Sequence, residues 1–199
     1  MKDSENIRQI SELPVDWMGF IFWKESSRFV AEKPDFLPVQ RRIGVFVNAE
    51  LPYILAKVDE YGLGGVQLHG GESPIYCNAL RAALSEKDVL IIKAISIATA
   101  GDIMVAQRYQ NCDYLIFDTK CPELGGSGRK FDWRILDGYF GNTPFVLSGG
   151  IDADSIDDIR KVSHPKFAGI DLNSRFEVSP GVKDYDKLRF FLNKLNYYE

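Results

Sequence analysis

The stretch at 144–162, PFVLSGGIDADSIDDIRKV, decides how the rest of the chain is read. An apolar run, Phe145-Val146-Leu147, stops at Ser148-Gly149-Gly150, and an acidic segment with helical spacing begins at once. Glycine lets backbone approach a ligand closely and adopt conformations that other residues avoid. A helix start offers unsatisfied N–H groups and the positive end of a dipole, and both favour an anion such as phosphate. A single Gly-Gly reads as an ordinary strand-to-helix turn, so its meaning depends on the segments around it.

Working outward, six more short runs share the apolar, β-branched or aromatic character of 145–148 (FVLS). They lie at 17–23 (WMGFIFW), 43–47 (IGVFV), 65–69 (GVQLH), 89–95 (VLIIKAI), 114–118 (YLIFD) and 167–172 (FAGIDL). Amphipathic stretches at 4–13, 52–61, 74–84, 102–109, 133–139, 155–162 and 184–195 predict helices around and between them. The segment 34–40 is too short and too proline-flanked for one. Asp3 or Ser4 can cap the first helix, whose apolar stripe is Ile7, Ile10 and Leu13.

Strands that are apolar throughout, rather than alternating, predict burial on both faces, as in a parallel sheet covered by helices. Alternation of strand and helix predicts an α/β fold with right-handed crossovers. An open doubly wound sheet would carry its glycine-rich turn after the first strand. Here the glycines follow the penultimate strand, where a (β/α)8 TIM barrel holds phosphate, so the barrel is expected. The chain opens on a helix, however, and shows seven strands where a barrel has eight.

At 199 residues a single domain over 1–199 is expected. The balance of 24 basic and 28 acidic residues gives a net charge of −4, which creates no field for nucleic acid or an anionic membrane. An anionic small molecule would therefore need local cations. Cys77, Cys112 and Cys121 form no CxxC pair, which predicts a reducing cytoplasmic setting and no metal site. The N-terminus MKDSENIRQI is too polar for a signal peptide.

Chemistry is expected at the carboxyl ends of the strands. Asp118 ends YLIFD, ahead of Thr119 and a glycine-rich loop at 125–133, GGSGRKFDW. A carboxylate leaving a buried strand is expected to have a raised pKa, which suits a general acid, although such an Asp can also cap a helix or order a loop. Arg28, in SSRFV, can clamp a carboxylate through two parallel hydrogen bonds, or simply be solvated. Gln67 and His69, in GVQLHGGES, end another strand as possible pocket residues, though such a His also serves as a hydrogen-bonded structural residue. His164 reads as loop surface, and Lys93 as a strand-end site residue or one that snorkels to the rim. After the last strand, in GIDLNSRFEVSPGVKD, Asn173 and Ser174 can offer backbone N–H groups at a short helix start. With Gly149 and Gly150 they would form a phosphate cradle between adjacent loops.

The ordered set SRFV, GVQLHG, YLIFDT, GGSGRKFDW, LSGGI and DLNS…E…PGVKD resembles the phosphoribosylanthranilate isomerase family of tryptophan biosynthesis over essentially the whole chain. The resemblance implies a (β/α)8 barrel that carries out an Amadori rearrangement without a cofactor. It would act on a phosphorylated small-molecule substrate, as a monomer or homodimer. It implies that Asp118 is the general acid, that Arg28 grips the anthranilate carboxylate, and that Gly149, Gly150, Asn173 and Ser174 hold the phosphate.

The resemblance also exposes two departures. Family members begin with a strand ending in Lys-(Ile/Val)-Cys-Gly, whose cysteine is the general base, and Met1 stands where the next residue would be. That implies seven strands, with a breach between 17–23 and 167–172 and no base. Cys77 and Cys112 fall in or just after helical segments, and Cys121 lies beyond the acid. Arg175 stands where the family has glycine after the phosphate-binding serine, which is expected to alter that loop, because other residues resist positive φ. The alternatives are an enzyme whose gene encodes the strand, a catalytically impaired phosphate-binding barrel, and a related barrel acting on another ribose phosphate. Arg28 and the loop at 125–133 argue against the last.

Overall fold

A computed structural model of the chain describes residues 1–119 and 133–196. The first half runs α1 (Ser4–Ile10), β1 (Trp17–Ile21), β2 (Arg41–Phe46), α2 (Leu51–Tyr61), β3 (Gly65–Leu68), α3 (Pro74–Ala83), β4 (Leu90–Ile97) and α4 (Ala100–Ala106). Then come β5 (Tyr114–Thr119), a 3-10 turn (Trp133–Gly138), β6 (Phe145–Ser148), a 3-10 turn (Ala153–Ser155) leading into α5 (Ile156–Arg160), and β7 (Phe167–Ile170). A last 3-10 turn (Ser174–Phe176) precedes β8 (Glu177–Ser179), β9 (Val182–Lys183) and α6 (Tyr185–Asn196).

Strands β1 to β7 form one parallel sheet in sequential order, so all seven expected strands are present. No helix separates β1 from β2. The segment expected as a helix at 133–139 is a 3-10 turn; α1, α3, α4 and α5 end earlier than their apolar spacing suggests, α2 ends where expected and α6 one residue later. The antiparallel hairpin β8–β9 was not expected; its turn is built on Pro180 and Gly181, the latter at φ 84°.

Burial on both faces follows from strand periodicity. Along β4, Ile91, Ile95 and Ile97 join the core under the helices, while Ile92 and Ala94 join a second, smaller cluster on the opposite face. That inner cluster unites Ile43, Ile92, Ala94, Ile116 and Val146. Trp17 of β1 meets Tyr114 of β5 edge to face at 5.0 Å. Strands so far apart in the sheet order touch only if the sheet curls around its inner face.

β1 and β7 are the end strands of this curled sheet. The exposed backbone of β1 is partly covered: the Gly19 carbonyl accepts from the Met1 nitrogen (2.5 Å) and that of Ile21 from Val30 N–H (2.9 Å). Beside it, α1 is fixed at its start by Asp3, which accepts from Asn6 N–H at 2.8 Å, while the Ser4 hydroxyl accepts instead from Asp35 N–H at 3.0 Å. Buried Asn6 then pairs with the backbone of Lys183 in both directions, at 2.8 and 2.7 Å, which ties the β8–β9 hairpin to α1. Among the described residues no helix is long and apolar enough to cross a membrane.

Candidate active site

A cavity of about 820 Å³ lies on the inner face of the sheet and reaches the carboxyl ends of its strands. The eight residues expected to hold or act on a ligand line it: Arg28, Gln67, His69, Asp118, Gly149, Gly150, Asn173 and Ser174.

The β3–β5 side contributes side chains. Alternation turns Gln67 inward from β3 and Asp118 inward from β5, where Asp118 is in register with Ser96 on one side and Ser148 on the other. The Gln67 amide nitrogen lies 2.8 Å from His69 Nδ1. An amide nitrogen only donates, so with the amide in this orientation Nδ1 accepts and the proton of the neutral ring sits on Nε2. That Nε2 is 3.7 Å from Asp118 Oδ2. The three groups form a line from the buried amide to a carboxylate with a side chain only 21% exposed.

Lys93 is neither a site residue nor at the rim. It is 2% exposed, on the helix side of β4. Its ammonium donates to the carbonyls of Leu68 (3.1 Å), Gly70 (2.8 Å) and Ala94 (2.8 Å) and to Glu72 Oε2 (3.2 Å). Glu72 in turn accepts from the N–H groups of Asn48 (2.7 Å) and Gly70 (2.9 Å). A lysine in an apolar strand is tolerated here because every donor finds an acceptor. The resulting knot braces the loop that carries His69. His164 is likewise structural, with one ring nitrogen at Tyr139 O (2.9 Å) and the other accepting from Lys166 N–H (3.0 Å).

The β6–β7 side contributes backbone. Gly149 and Gly150 have φ 90° and 67°, the left-handed region that favours glycine. A Cβ on Gly150 would meet nothing within 4 Å, so conformation rather than space requires glycine there. The helix start expected beside these glycines is displaced. Asp152 stands between, and its carboxylate accepts from Asp154 N–H (3.0 Å) and the Ser155 hydroxyl (2.9 Å). That turn is capped by the chain's own acid, so an anion here would rely on the glycine peptides and the loop at 173–174. Ser174 opens the short 3-10 turn that also contains Arg175. Among described non-glycine residues only Asn48 has a positive φ, so Arg175 sits in this turn without the positive φ that glycine would allow.

Arg28, in the loop after β1, is engaged by a residue the sequence reasoning missed. Its Nε and Nη2 donate to both carboxylate oxygens of Glu177, at 2.6 to 3.0 Å. Lys183 Nζ lies 3.3 Å from Glu177 Oε1 and 2.9 Å from Asn173 Oδ1. Burial pushes the Glu177 carboxyl up, but the Arg28 hydrogen bond and the Lys183 charge outweigh it and hold the group below the usual carboxylate range. Burial lowers Lys183, with Glu177 opposing, while the Glu177 hydrogen bond raises Arg28. The missed signal is the Pro-Gly in EVSPGVK: a hairpin turn there sets Glu177 opposite Lys183.

Cys77, on α3, and Cys112, ahead of β5, are both buried. Cys121 and residues 125–132 of the glycine-rich loop lie outside the described residues. Among the described residues no group of three or more His, Cys, Asp or Glu side chains could hold a metal ion.

A curled parallel sheet with carboxylate, imidazole and arginine side chains gathered at its carboxyl edge defines a protein of the α/β-barrel class, with its cavity at the customary face. The description "N-(5'phosphoribosyl)anthranilate (PRA) isomerase" matches residues 1–194, and the chain belongs to that family. It is 47% identical over 197 residues to the N-(5'-phosphoribosyl)anthranilate isomerase of Phocaeicola vulgatus, covering 98% of this chain and 94% of that one. Its fold is similar to the crystal structure of phosphoribosyl anthranilate isomerase from Thermotoga maritima, with TM-score 0.80, 31% identity and coverage of 99% and 96%. It is also similar to a phosphoribosyl anthranilate isomerase solved in complex with reduced 1-(o-carboxyphenylamino)-1-deoxyribulose 5-phosphate, with TM-score 0.79, 28% identity and coverage of 99% and 95%.

Proposed function

We propose that this chain catalyses the Amadori rearrangement of N-(5-phosphoribosyl)anthranilate to 1-(2-carboxyphenylamino)-1-deoxyribulose 5-phosphate in tryptophan biosynthesis. The observation that carries the reading is the convergence of Asp118, Arg28 and the left-handed glycines on one cavity in a member of this family. Asp118 gives a proton to the ribose ring oxygen; the C1′–O bond breaks and a protonated Schiff base forms with the anthranilate nitrogen. A base removes the C2′ proton, giving an enolamine that tautomerises to the ketone. One proton is given and one taken, so no cofactor is required. His69, oriented by Gln67, supports Asp118; Arg28 takes the anthranilate carboxylate; Gly149, Gly150, Asn173 and Ser174 hold the phosphate.

Residues 1–199 act in this reading as a single cytoplasmic domain, a monomer or a homodimer. The seven strands belong to an eight-stranded barrel whose remaining strand fits between β1 and β7 and carries the base. What supports this is the pair of sheet ends beside the cavity, with apolar Trp17, Val45 and Ala168 facing it. An impaired phosphate-binding barrel is the alternative, and no observation of its own favours it.

The test follows the loss of substrate anthranilate fluorescence with the 199-residue chain and with the same chain preceded by a short strand ending Cys-Gly. Turnover that needs the added strand is expected. Equal rates would place the base within these 199 residues. If neither chain turns over substrate or binds the reduced product analogue, the proposal fails.

A further inference from the structure

We propose that Glu177 is a positioning residue for substrate selection: it turns Arg28 so that the far edge of the guanidinium faces the cavity and receives an aromatic carboxylate end-on. The inference rests on the assignment of Arg28 to that carboxylate. A guanidinium has five N–H donors on a rigid plane and two edges able to pair with a carboxylate. Glu177 occupies the edge formed by Nε and Nη2. Among the described residues no protein acceptor takes Nη1, so the edge formed by Nη1 and the second Nη2 hydrogen remains for a ligand. Arg28 itself lines the cavity.

The support behind Glu177 is rigid. Its side chain is 5% exposed, and Oε1 also accepts from Gly181 N–H at 3.2 Å. The hairpin that carries it is bolted to α1 through Asn6 and the Lys183 backbone. The orientation of Arg28 is thus set by a residue 149 positions away in sequence, on a hairpin that forms a separate two-stranded sheet. Charge is left over as well. Arg28 and Lys183 both flank the Glu177 carboxylate, so that single carboxylate does not neutralise the two cations between which it lies. Neutralising Arg28 fully would have defeated binding, whereas holding one edge with a doubly countered carboxylate aims it.

The decisive measurement is a ratio of affinities. Titrations would use the reduced product analogue, which keeps the carboxyl group, and its counterpart lacking that group. The unsubstituted chain should prefer the first. Glu177→Gln should cut that preference about tenfold, the scale of one charge-assisted hydrogen bond's worth of orientation, by weakening only the carboxylated ligand. In the active enzyme KM should rise with kcat little changed. Arg28→Met should abolish the preference, and adding Glu177→Gln to it should change nothing further. Equal weakening of both ligands by Glu177→Gln would mean a merely structural role and would overturn the proposal. An intact preference in Glu177→Gln beside a lost one in Arg28→Met overturns the role of Glu177 and leaves that of Arg28 standing. Preference retained in Arg28→Met, or binding of neither ligand by the unsubstituted chain, removes the underlying reading and this proposal with it. Should Glu177→Gln fail to fold, Glu177→Asp, which keeps the charge and shortens the reach, should lower the ratio in the same direction. An unchanged ratio there also overturns the proposal.

Discussion

On the β3–β5 side of the cavity the candidate groups are side chains; on the β6–β7 side they are backbone. Gln67, His69 and Asp118 stand in line on the first side, above a buried Lys93–Glu72 knot. On the second, Gly149 and Gly150 offer peptide groups shaped by left-handed φ, and the nearby turn is capped by Asp152. The difference teaches where each half is vulnerable. The first depends on the chemical identity of its side chains, and the second on the conformations its backbone can reach.

The largest effect should come from Asp118→Asn, which keeps the shape and removes the proton. In the chain preceded by the added strand, turnover should fall by roughly 10²–10⁴-fold, the span of a positioned acid or base, with affinity for the reduced product analogue preserved. Near-normal steady-state rates would remove Asp118 from the mechanism and with it the idea that this half supplies the chemistry.

Next is the knot beneath. Lys93→Met strands the buried Glu72 carboxylate and should cost about 3–5 kcal/mol in urea unfolding. Combining it with Glu72→Gln should recover much of that loss. A single substitution costing no more than an exposed lysine would show that the His69 loop is not braced in this way.

Gly150→Ala probes the other half. There is room for the methyl group but not the conformation, at φ 67°. About 1–2 kcal/mol of stability should be lost, the cost of a left-handed non-glycine residue. Affinity for inorganic phosphate should drop, while turnover at saturating substrate, measured in the chain preceded by the added strand, stays near normal. Unchanged unfolding and unchanged phosphate affinity would break the contrast between the halves.

The smallest effect concerns acid. Glu177 is held below its unfolded pKa of about 4.3. A depressed carboxyl contributes stability that is present above the unfolded value and lost as pH falls through the folded one. Urea midpoints measured from neutral pH downward should therefore decline less steeply below about pH 4 in Glu177→Gln than in the unsubstituted chain. Parallel curves would show that the Arg28–Glu177 pair carries no such linkage.

Seven strands were legible from the sequence because strands buried on both faces read as continuous apolar runs, and both faces of this sheet are packed. Asp118, Gln67 and the glycines were legible because a polar or glycine residue ending such a run stands at a strand's end, where a barrel places its chemistry. The β8–β9 hairpin was not, since strands of three and two residues are too short for periodicity to register. Lys93 read as a rim or site residue because burial of its ammonium depends on carbonyls of β3 and the next loop, which no local pattern announces.

The sequence by itself determined the order of elements, the parallel sheet and the strand ends at which function had to be sought. Only the tertiary structure decided that Asp152 rather than a ligand caps the turn after the glycines, that Lys93 serves the fold, and that Arg28 is gripped by Glu177. The physical reason is one of range. Hydrophobic period and turn chemistry act over a few residues and are written where they act. The partner of a buried charge is chosen by which distant segments the closed chain brings within about 3 Å, the reach of a hydrogen bond.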